Sequence, residues 1–287
     1  MFLKSKIKSL LLFLLQNLAV RKVTVNISVL PKNSLLVGRK ALITGGTSGI
    51  GFEIAKSYVT SGCKVVITGR NKDRLNKACE RISIETGTTN SVSGMVMDVT
   101  DINNLLIKYN EASDCIGDTF DILVNNAGVM GGDLYSATEN EFDSIIDTNL
   151  KGLFFLSKIF AESLRKQNKE GNILNISSSS SYRPATSVYG ISKWGVRGFT
   201  EGMARKYSPY GIIVNAIAPG PTATPMLKKD NTANFVKNNS LIKRYILPEE
   251  IANMAVIMVS DMAKSIVGDT VCMTGGSGNL TNDDIVY

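Results

Sequence analysis

Tyr189 and Lys193 stand four residues apart in Ser187-Val188-Tyr189-Gly190-Ile191-Ser192-Lys193. On a helix that spacing places both side chains on one face. A phenol with an ordinary pKa of about 10 is a poor acid–base group at neutral pH. An adjacent ammonium favours the phenolate and lowers that pKa, which makes Tyr189 a usable proton donor and acceptor. The chain contains no histidine, so imidazole acid–base catalysis, Ser-His-Asp and Cys-His nucleophiles and imidazole metal sites are excluded. A tyrosine–lysine pair is then a credible means of protonating an alkoxide formed by hydride transfer. Alone, such a pair is common on solvated helix faces, and the surrounding sequence has to decide. The four cysteines, Cys63, Cys79, Cys115 and Cys272, are far apart with no CxxC. They are expected to be buried thiols of a reducing compartment, with no metal site.

Several elements must position that pair. Ala41-Leu42-Ile43 is a short apolar strand running into Thr44-Gly45-Gly46-Thr47-Ser48-Gly49-Ile50-Gly51, and a helical pattern at Ile54, Ala55, Tyr58 and Val59 ends at Gly62. Lys64–Thr68 is the next strand, giving a βαβ unit with a glycine-rich first turn. In such a unit Gly45 permits the tight turn, Gly49 lets backbone approach a pyrophosphate, and Gly51 lets helix pack on strand. The helix N-terminus offers unpaired N–H groups to phosphate. Further strands are expected at Gly94–Val99, Phe120–Val124, Gly171–Ile176, Ile212–Ile217 and Thr270–Met273, with helices between. Regular β–α alternation gives an α/β fold, a Rossmann-type doubly wound parallel sheet. No composition break divides residues 38–287, so they form a single domain preceded by an extension over residues 1–37.

In order along the chain, Thr44–Gly51, Asp98-Val99, Asn125-Asn126-Ala127-Gly128, Asn149 in Thr148-Asn149-Leu150-Lys151-Gly152, Ser177-Ser178, Tyr189-Gly190-Ile191-Ser192-Lys193, Pro219-Gly220, Thr224 and Gly275-Gly276 all coincide. The chain resembles the short-chain dehydrogenase/reductase family over about residues 38–278, and within it is similar to 3-oxoacyl-[acyl-carrier-protein] reductases. The resemblance implies an oxidoreductase with Asn149, Ser178, Tyr189 and Lys193 as catalytic residues. Ser178 would hydrogen-bond the substrate oxygen, Lys193 would also hold the nicotinamide ribose, and Asn149 would position a water in a proton relay. Only ten residues separate Ser178 from Tyr189, fewer than the family usually has. The run Ser177–Ser181 therefore leaves the register open, with Ser179 or Ser180 as alternatives.

By the same resemblance the cofactor lies against Gly45, Thr47, Ser48, Gly49, Ile50 and Gly51. Asp98 and Val99 frame the adenine, and Asn125, Ala127 and Gly128 support the sheet and adenosine side. Pro219, Gly220, Thr222 and Thr224 face the nicotinamide. At the end of the second strand an acidic residue would select NAD. This chain has Gly69, Arg70, Asn71 and Lys72 there. A guanidinium suits a ribose 2′-phosphate, so NADP(H) is expected over NAD(H), with Arg70 and Asn71 as its contacts.

The net charge of +7 is concentrated. Residues 1–40 hold eight basic and no acidic residues, leaving the remainder with 24 basic against 25 acidic. The body therefore has no signature for nucleic acid. In the extension, Lys4, Lys6 and Lys8 precede the leucine-rich run Leu10–Leu15, too short to span a bilayer, and Val23–Val29 alternates like a strand. Packing on the domain or a neighbouring subunit, contact with a membrane surface, and targeting all fit this extension. The segment Met226–Leu247 carries Lys228, Lys229, Lys237, Lys243 and Arg244 against Asp230 alone, which suits an anionic or phosphopantetheine-bearing substrate or a solvated face.

The expected activity is NADP(H)-dependent hydride transfer with a small-molecule carbonyl or secondary alcohol, 3-oxoacyl thioester reduction foremost. The alternatives are a membrane-surface dehydrogenase of a lipophilic or sugar alcohol, and a non-catalytic NADP(H)-binding regulator. The protein is expected to be cytoplasmic, with peripheral membrane contact as the variant. A homo-dimer or tetramer would form through the helices after Asn149 and Tyr189, where Leu153, Phe154, Phe155 and Leu156 suit either an interface or the core.

Overall fold

The computed structural model describes residues 30–227, 235, 237 and 240–277. Along the chain it runs β1 (Lys40–Thr44), α1 (Gly49–Thr60), β2 (Lys64–Gly69), α2 (Lys72–Thr86), β3 (Val92–Val96), α3 (Ile102–Ile116), β4 (Ile122–Asn125) and α4 (Glu139–Ile146). It continues with a π-helical turn (Asp147–Lys151), α5 (Gly152–Lys166), β5 (Gly171–Ile176), α6 (Val188–Tyr207), β6 (Ile212–Pro219), α7 (Pro248–Val259) and β7 (Thr270–Met273). The strands form one sheet of order β3-β2-β1-β4-β5-β6-β7, and every pair is parallel. Strand order reverses between β1 and β4, which opens a crevice at their carboxyl ends, where ligands bind in folds of this class.

The period of two along the strands divides the core into two layers. From β1, Ala41 and Ile43 pack with Ile54 and Tyr58 of α1 and Ile251 and Ala255 of α7. Leu42 between them faces Phe160 and Leu164 of α5 and Met203 of α6. Because both faces are covered, the strands read as continuous apolar runs. Helix α1 ends before Gly62, whose φ of 90° reverses the chain into β2. Helix α2 begins on Asn71, whose side chain accepts the Arg74 N–H, and stops at Gly87 in the left-handed region.

Three expectations change. The third strand ends at Val96 instead of Val99, because the Asp98 carboxylate accepts the Thr100 N–H at 2.9 Å and its hydroxyl at 2.8 Å, turning the backbone out of the sheet. The domain starts before residue 38: Leu36 is fully buried in the α1–α7 layer, and Leu30 hangs its N–H on Asn253 at 3.1 Å. Of the cysteines only Cys63 is buried; Cys79 and Cys272 are half-buried and Cys115 is exposed. The leucine-rich run and the Val23–Val29 strand lie outside the described residues. Among the described residues no helix is long and apolar enough to cross a membrane.

Candidate active site

A cleft of about 910 Å³ opens at the carboxyl ends of β1, β4 and β5. One wall is the glycine-rich turn, with Gly45, Thr47, Ser48, Gly49 and Ile50 lining it. Ser48 occupies the N-cap position of α1, yet its side chain caps nothing, and no acidic residue sits in the first turn. The helix therefore presents unpaired N–H groups and its positive end to the cleft, a ready site for a diphosphate. Gly51 does not line the cleft. A Cβ there would lie 2.3 Å from Asn126 Nδ2 and 2.6 Å from the Gly45 carbonyl, so its part is close packing beneath the turn.

The second half of the sheet is stitched to that turn. Thr44 Oγ1 accepts the N–H groups of Asn126 and Ala127, both at 3.0 Å, and Asn126 Nδ2 donates to the carbonyls of Thr44 and Gly45. Ala127 and Gly128 line the cleft as expected by resemblance, but Asn125 does not. Its side chain is buried, donating at 2.8 Å to both Ser157 and Asn175, while Asn175 donates on to Thr200. Strand alternation sends Asn125 into the helix layer and Asn126 toward the glycine turn. Asn125 thus ties β4 and β5 to α5 and α6 and touches no cofactor space.

At the adenosine end, Arg70, Asn71, Asp98 and Val99 line the cleft, and so does Arg74, which motif reasoning missed. Its signal was in the sequence: it follows Arg70 by four residues, in the first turn of α2. Both guanidinium groups are exposed, and among the described residues neither has an ion-pair partner. Among the described residues Asp98 is the single carboxylate of the lining, and its Oδ1 is occupied by Thr100. Pro219, Gly220, Thr222 and Thr224 close the opposite wall. With an uncapped helix N-terminus and a basic far end, these residues fit a phosphate-rich dinucleotide.

Ser178, Tyr189 and Lys193 converge at the middle of the cleft. Of the five-serine run, Ser177, Ser178, Ser179 and Ser180 all line the cleft, and their hydrogen bonds differ. Ser177 Oγ donates inward to Ser181 Oγ at 3.2 Å, and Ser181 Oγ to the Ser178 carbonyl at 2.7 Å. The Ser178 side chain instead lines the cleft, its Oγ accepting the Ser180 N–H at 3.1 Å, and its influence lowers the pKa of the Tyr189 phenol. Ser179 is buried, with its oxygen facing Arg183 at 3.4 Å, and Arg183 also lines the cleft.

The electrostatics of the pair differ from the expectation. Lys193 shares the face with Tyr189, its Nζ 5.6 Å from the ring centroid, but it donates to the Ile176 carbonyl at 2.8 Å. Burial pushes its ammonium down to about 8. Burial also raises the Tyr189 phenol; the Ser178 hydroxyl and the Arg183 charge pull it back. Asn149 sits behind the cleft on the π-helical turn and does not line it. Its amide clamps Val129, accepting that N–H at 2.8 Å and donating to that carbonyl at 2.9 Å, and also donates to Ser192 at 3.1 Å.

On the substrate side, Met130, Met226, Leu227, Lys237 and Tyr245 join the lining. Lys237 Nζ lies 5.8 Å from the Tyr245 ring. Arg244 is not available to substrate, because it forks onto Glu250 at 2.7 and 2.8 Å and anchors the segment to α7. Lys228, Lys229 and Asp230 lie outside the described residues. On α5, Leu153 and Leu156 go to the core, while Phe154 stays 42% exposed and stacks on Phe155 and Phe199.

Known proteins share this arrangement. The sequence profile of the family described as short chain dehydrogenase matches residues 39–234. A 3-oxoacyl-[acyl-carrier-protein] reductase of Chlamydia trachomatis is 34% identical over 256 residues, covering 85% of this chain and 99% of that protein. The crystal structure of a variant actinorhodin polyketide ketoreductase with NADPH is 28% identical with a TM-score of 0.76, covering 86% of this chain and 99% of its own. A 3-ketoacyl-(acyl-carrier-protein) reductase from Brucella melitensis complexed with NADH is 27% identical with a TM-score of 0.76, covering 85% and 99%.

Proposed function

The chain belongs to the short-chain dehydrogenase family and is an oxidoreductase that couples a nicotinamide cofactor to a carbonyl–alcohol pair, and we propose that it uses NADP(H) to reduce 3-oxoacyl thioesters, with Tyr189 as the acid/base. The observation that carries the cofactor choice is the pair Arg70 and Arg74 at the adenosine end, with no carboxylate at the tip of β2. Two guanidinium groups there match a 2′-phosphate and offer nothing specific to a 2′-hydroxyl. When bound, the cofactor supplies the hydride. Ser178 holds the substrate oxygen, Tyr189 gives that oxygen its proton, Lys193 keeps a cation beside the ribose, and the clamp by Asn149 holds the wall at Val129. The thioester reading is supported by the similar reductases and by Lys237 at the mouth, a cation suited to a phosphopantetheine arm.

Oxidation of NADPH and of NADH with acetoacetyl-CoA tests both halves. NADPH is expected to be preferred, and Arg70→Ala with Arg74→Ala is expected to raise the KM for NADPH about 10- to 100-fold, the value of lost charge-assisted hydrogen bonds. The KM for NADH should stay unchanged. Equal use of both cofactors by the unaltered protein would refute the NADP(H) assignment. Tight NADPH binding without thioester turnover would move the reading to lipophilic or sugar alcohols, or to a non-catalytic regulator. Self-association is proposed through α5 and α6, where Phe154 and Phe199 stack at an exposed surface. Sedimentation of the purified protein as a dimer or tetramer is expected, and a monomer would overturn it.

A further inference from the structure

After β4 the chain crosses the mouth of the cleft as a strap, Val129–Leu134, before entering α4. Val129 and Met130 line the cleft, and Gly131 and Gly132 follow with φ of 132° and 70°. Those two residues have no room for side chains. A Cβ on Gly131 would lie 2.7 Å from Glu141 Oε1, and one on Gly132 would lie 2.6 Å from Val188 Cγ2. The strap pairs with the start of α6, the helix that bears Tyr189. The Gly132 carbonyl accepts the Val188 N–H at 2.8 Å and the Gly131 carbonyl accepts the Tyr189 N–H at 3.4 Å. Leu134 N–H donates to the Thr186 carbonyl at 3.1 Å, and Asp133 bridges Ser187 in antiparallel fashion.

The first N–H groups of a helix have no partner within it. Here the cap Ser187 takes one of them, that of Gly190, at 3.1 Å, and the strap takes those of Val188 and Tyr189. The position of Tyr189 is thereby set by the strap as much as by the helix. The strap is held at its near end by the two bonds of Asn149 to Val129. In its middle, among the described residues, a single side chain holds it: Glu141 Oε1 accepts the Gly132 N–H at 2.8 Å, a charge-assisted bond. Glu141 is itself fixed in the first turn of α4, where its N–H is capped by Thr138 Oγ1 at 3.2 Å.

We propose that Glu141 is a positioning residue for the acid/base: by latching Gly132 it fixes the strap on which the backbone of Val188 and Tyr189 hangs, and so sets where the phenol meets Ser178 and substrate. The inference rests on Tyr189 being the proton donor. It is a claim about reach, because only an acceptor at the Oε1 position closes the latch.

Three variants test it with the full chain: Glu141→Gln keeps the acceptor, Glu141→Asp keeps the charge but withdraws the oxygen by one methylene, and Glu141→Ala removes both. Positioning predicts kcat near the unaltered value in the Gln variant and about a 10- to 100-fold loss in the Asp and Ala variants, the scale of a small misplacement of a reacting group. The KM for NADPH should be unchanged throughout. Amide hydrogen exchange at Val188 and Tyr189, measured without substrate or cofactor, should be slow in the Gln variant and accelerated in the other two. If the Ala variant does not fold, the Asp and Gln pair carries the comparison alone. Full kcat in the Asp variant, equal losses in Gln and Asp, or unaltered exchange at both amides would each overturn the proposal. Tyr189→Phe run in parallel separates the two claims: an active Phe variant sinks the acid/base assignment, whereas an inactive one beside an unaffected Asp variant sinks the latch alone.

Discussion

Tyr189→Phe is expected to lower kcat for carbonyl reduction about 1000-fold, within the range general acid catalysis supplies, while leaving NADPH affinity intact. The variant removes one oxygen from a half-buried ring that lines the cleft beside Ser178. The ring packing survives, so the fold is expected to be kept, and fluorescence titration with NADPH checks binding independently of turnover. The pH dependence gives a second check. Burial raises the phenol above its ordinary range, and Ser178 and Arg183 oppose that only in part. Reduction needs the protonated phenol, so its rate is expected to be level through neutral pH and to fall only in the alkaline range. Alcohol oxidation needs the phenolate and should rise with pH over the same interval. Retention of more than about a tenth of kcat in the Phe variant would remove Tyr189 from the chemistry.

Lys193→Met is expected to lose activity and gain stability at neutral pH. Lys193 is 5% exposed, and among the described residues its Nζ has one acceptor, the Ile176 carbonyl. Burial holds its pKa in the folded protein at about 8, below the ordinary lysine value of about 10.4 that applies to the unfolded chain. Between those values the unfolded chain binds more protons than the folded one, so this group makes the protein more stable as pH rises. Below about pH 8 its full cost is present, on the order of 3 kcal/mol at 1.36 kcal/mol per pKa unit. Methionine removes that cost but leaves Ile176 without a donor, a loss of about 1 kcal/mol that does not depend on pH. At pH 7 the variant should therefore be more stable by about 2 kcal/mol, or several degrees in melting temperature. Near pH 10 the order should reverse. Denaturant melts of both proteins at the two pH values measure this, and a stability difference that does not move with pH would show that Lys193 is not strained by burial. A stabilised and inactive variant is the signature of a residue kept for function.

The chemistry of this chain was legible early because much of it is written in local spacing. Tyr189 and Lys193 share a face because they are four apart on a helix, and that holds whatever surrounds α6. The turn Thr44–Gly51 had to join a strand to a helix, since its glycines adopt positive φ at Gly45 and Gly49 between apolar segments of opposite periodicity. The parallel pairing of the strands follows from β–α alternation with one hand of crossover. Arg70 at the tip of β2 was likewise readable from position alone.

Other features were not readable, because periodicity names a face without giving depth or direction. Asn125 and Asn126 are adjacent and chemically identical, and only the sheet decides that the first is buried against Ser157 and the second stitches the glycine turn. The sequence placed Lys193 on the face of Tyr189, but only the fold shows that one of its N–H groups goes to the carbonyl of Ile176, seventeen residues away. Arg74, Arg183 and Lys237 reach the cleft from three separate parts of the chain that no motif joins. Glu141 touches Gly132 only because α4 folds back on the strap. The sequence by itself determined which residue types were present to do the chemistry and which short-range pairs they form. Tertiary structure decided which polar groups lose water and which distant carbonyls and carboxylates they meet, because desolvation and long-range hydrogen bonds depend on neighbours brought together from separate parts of the chain.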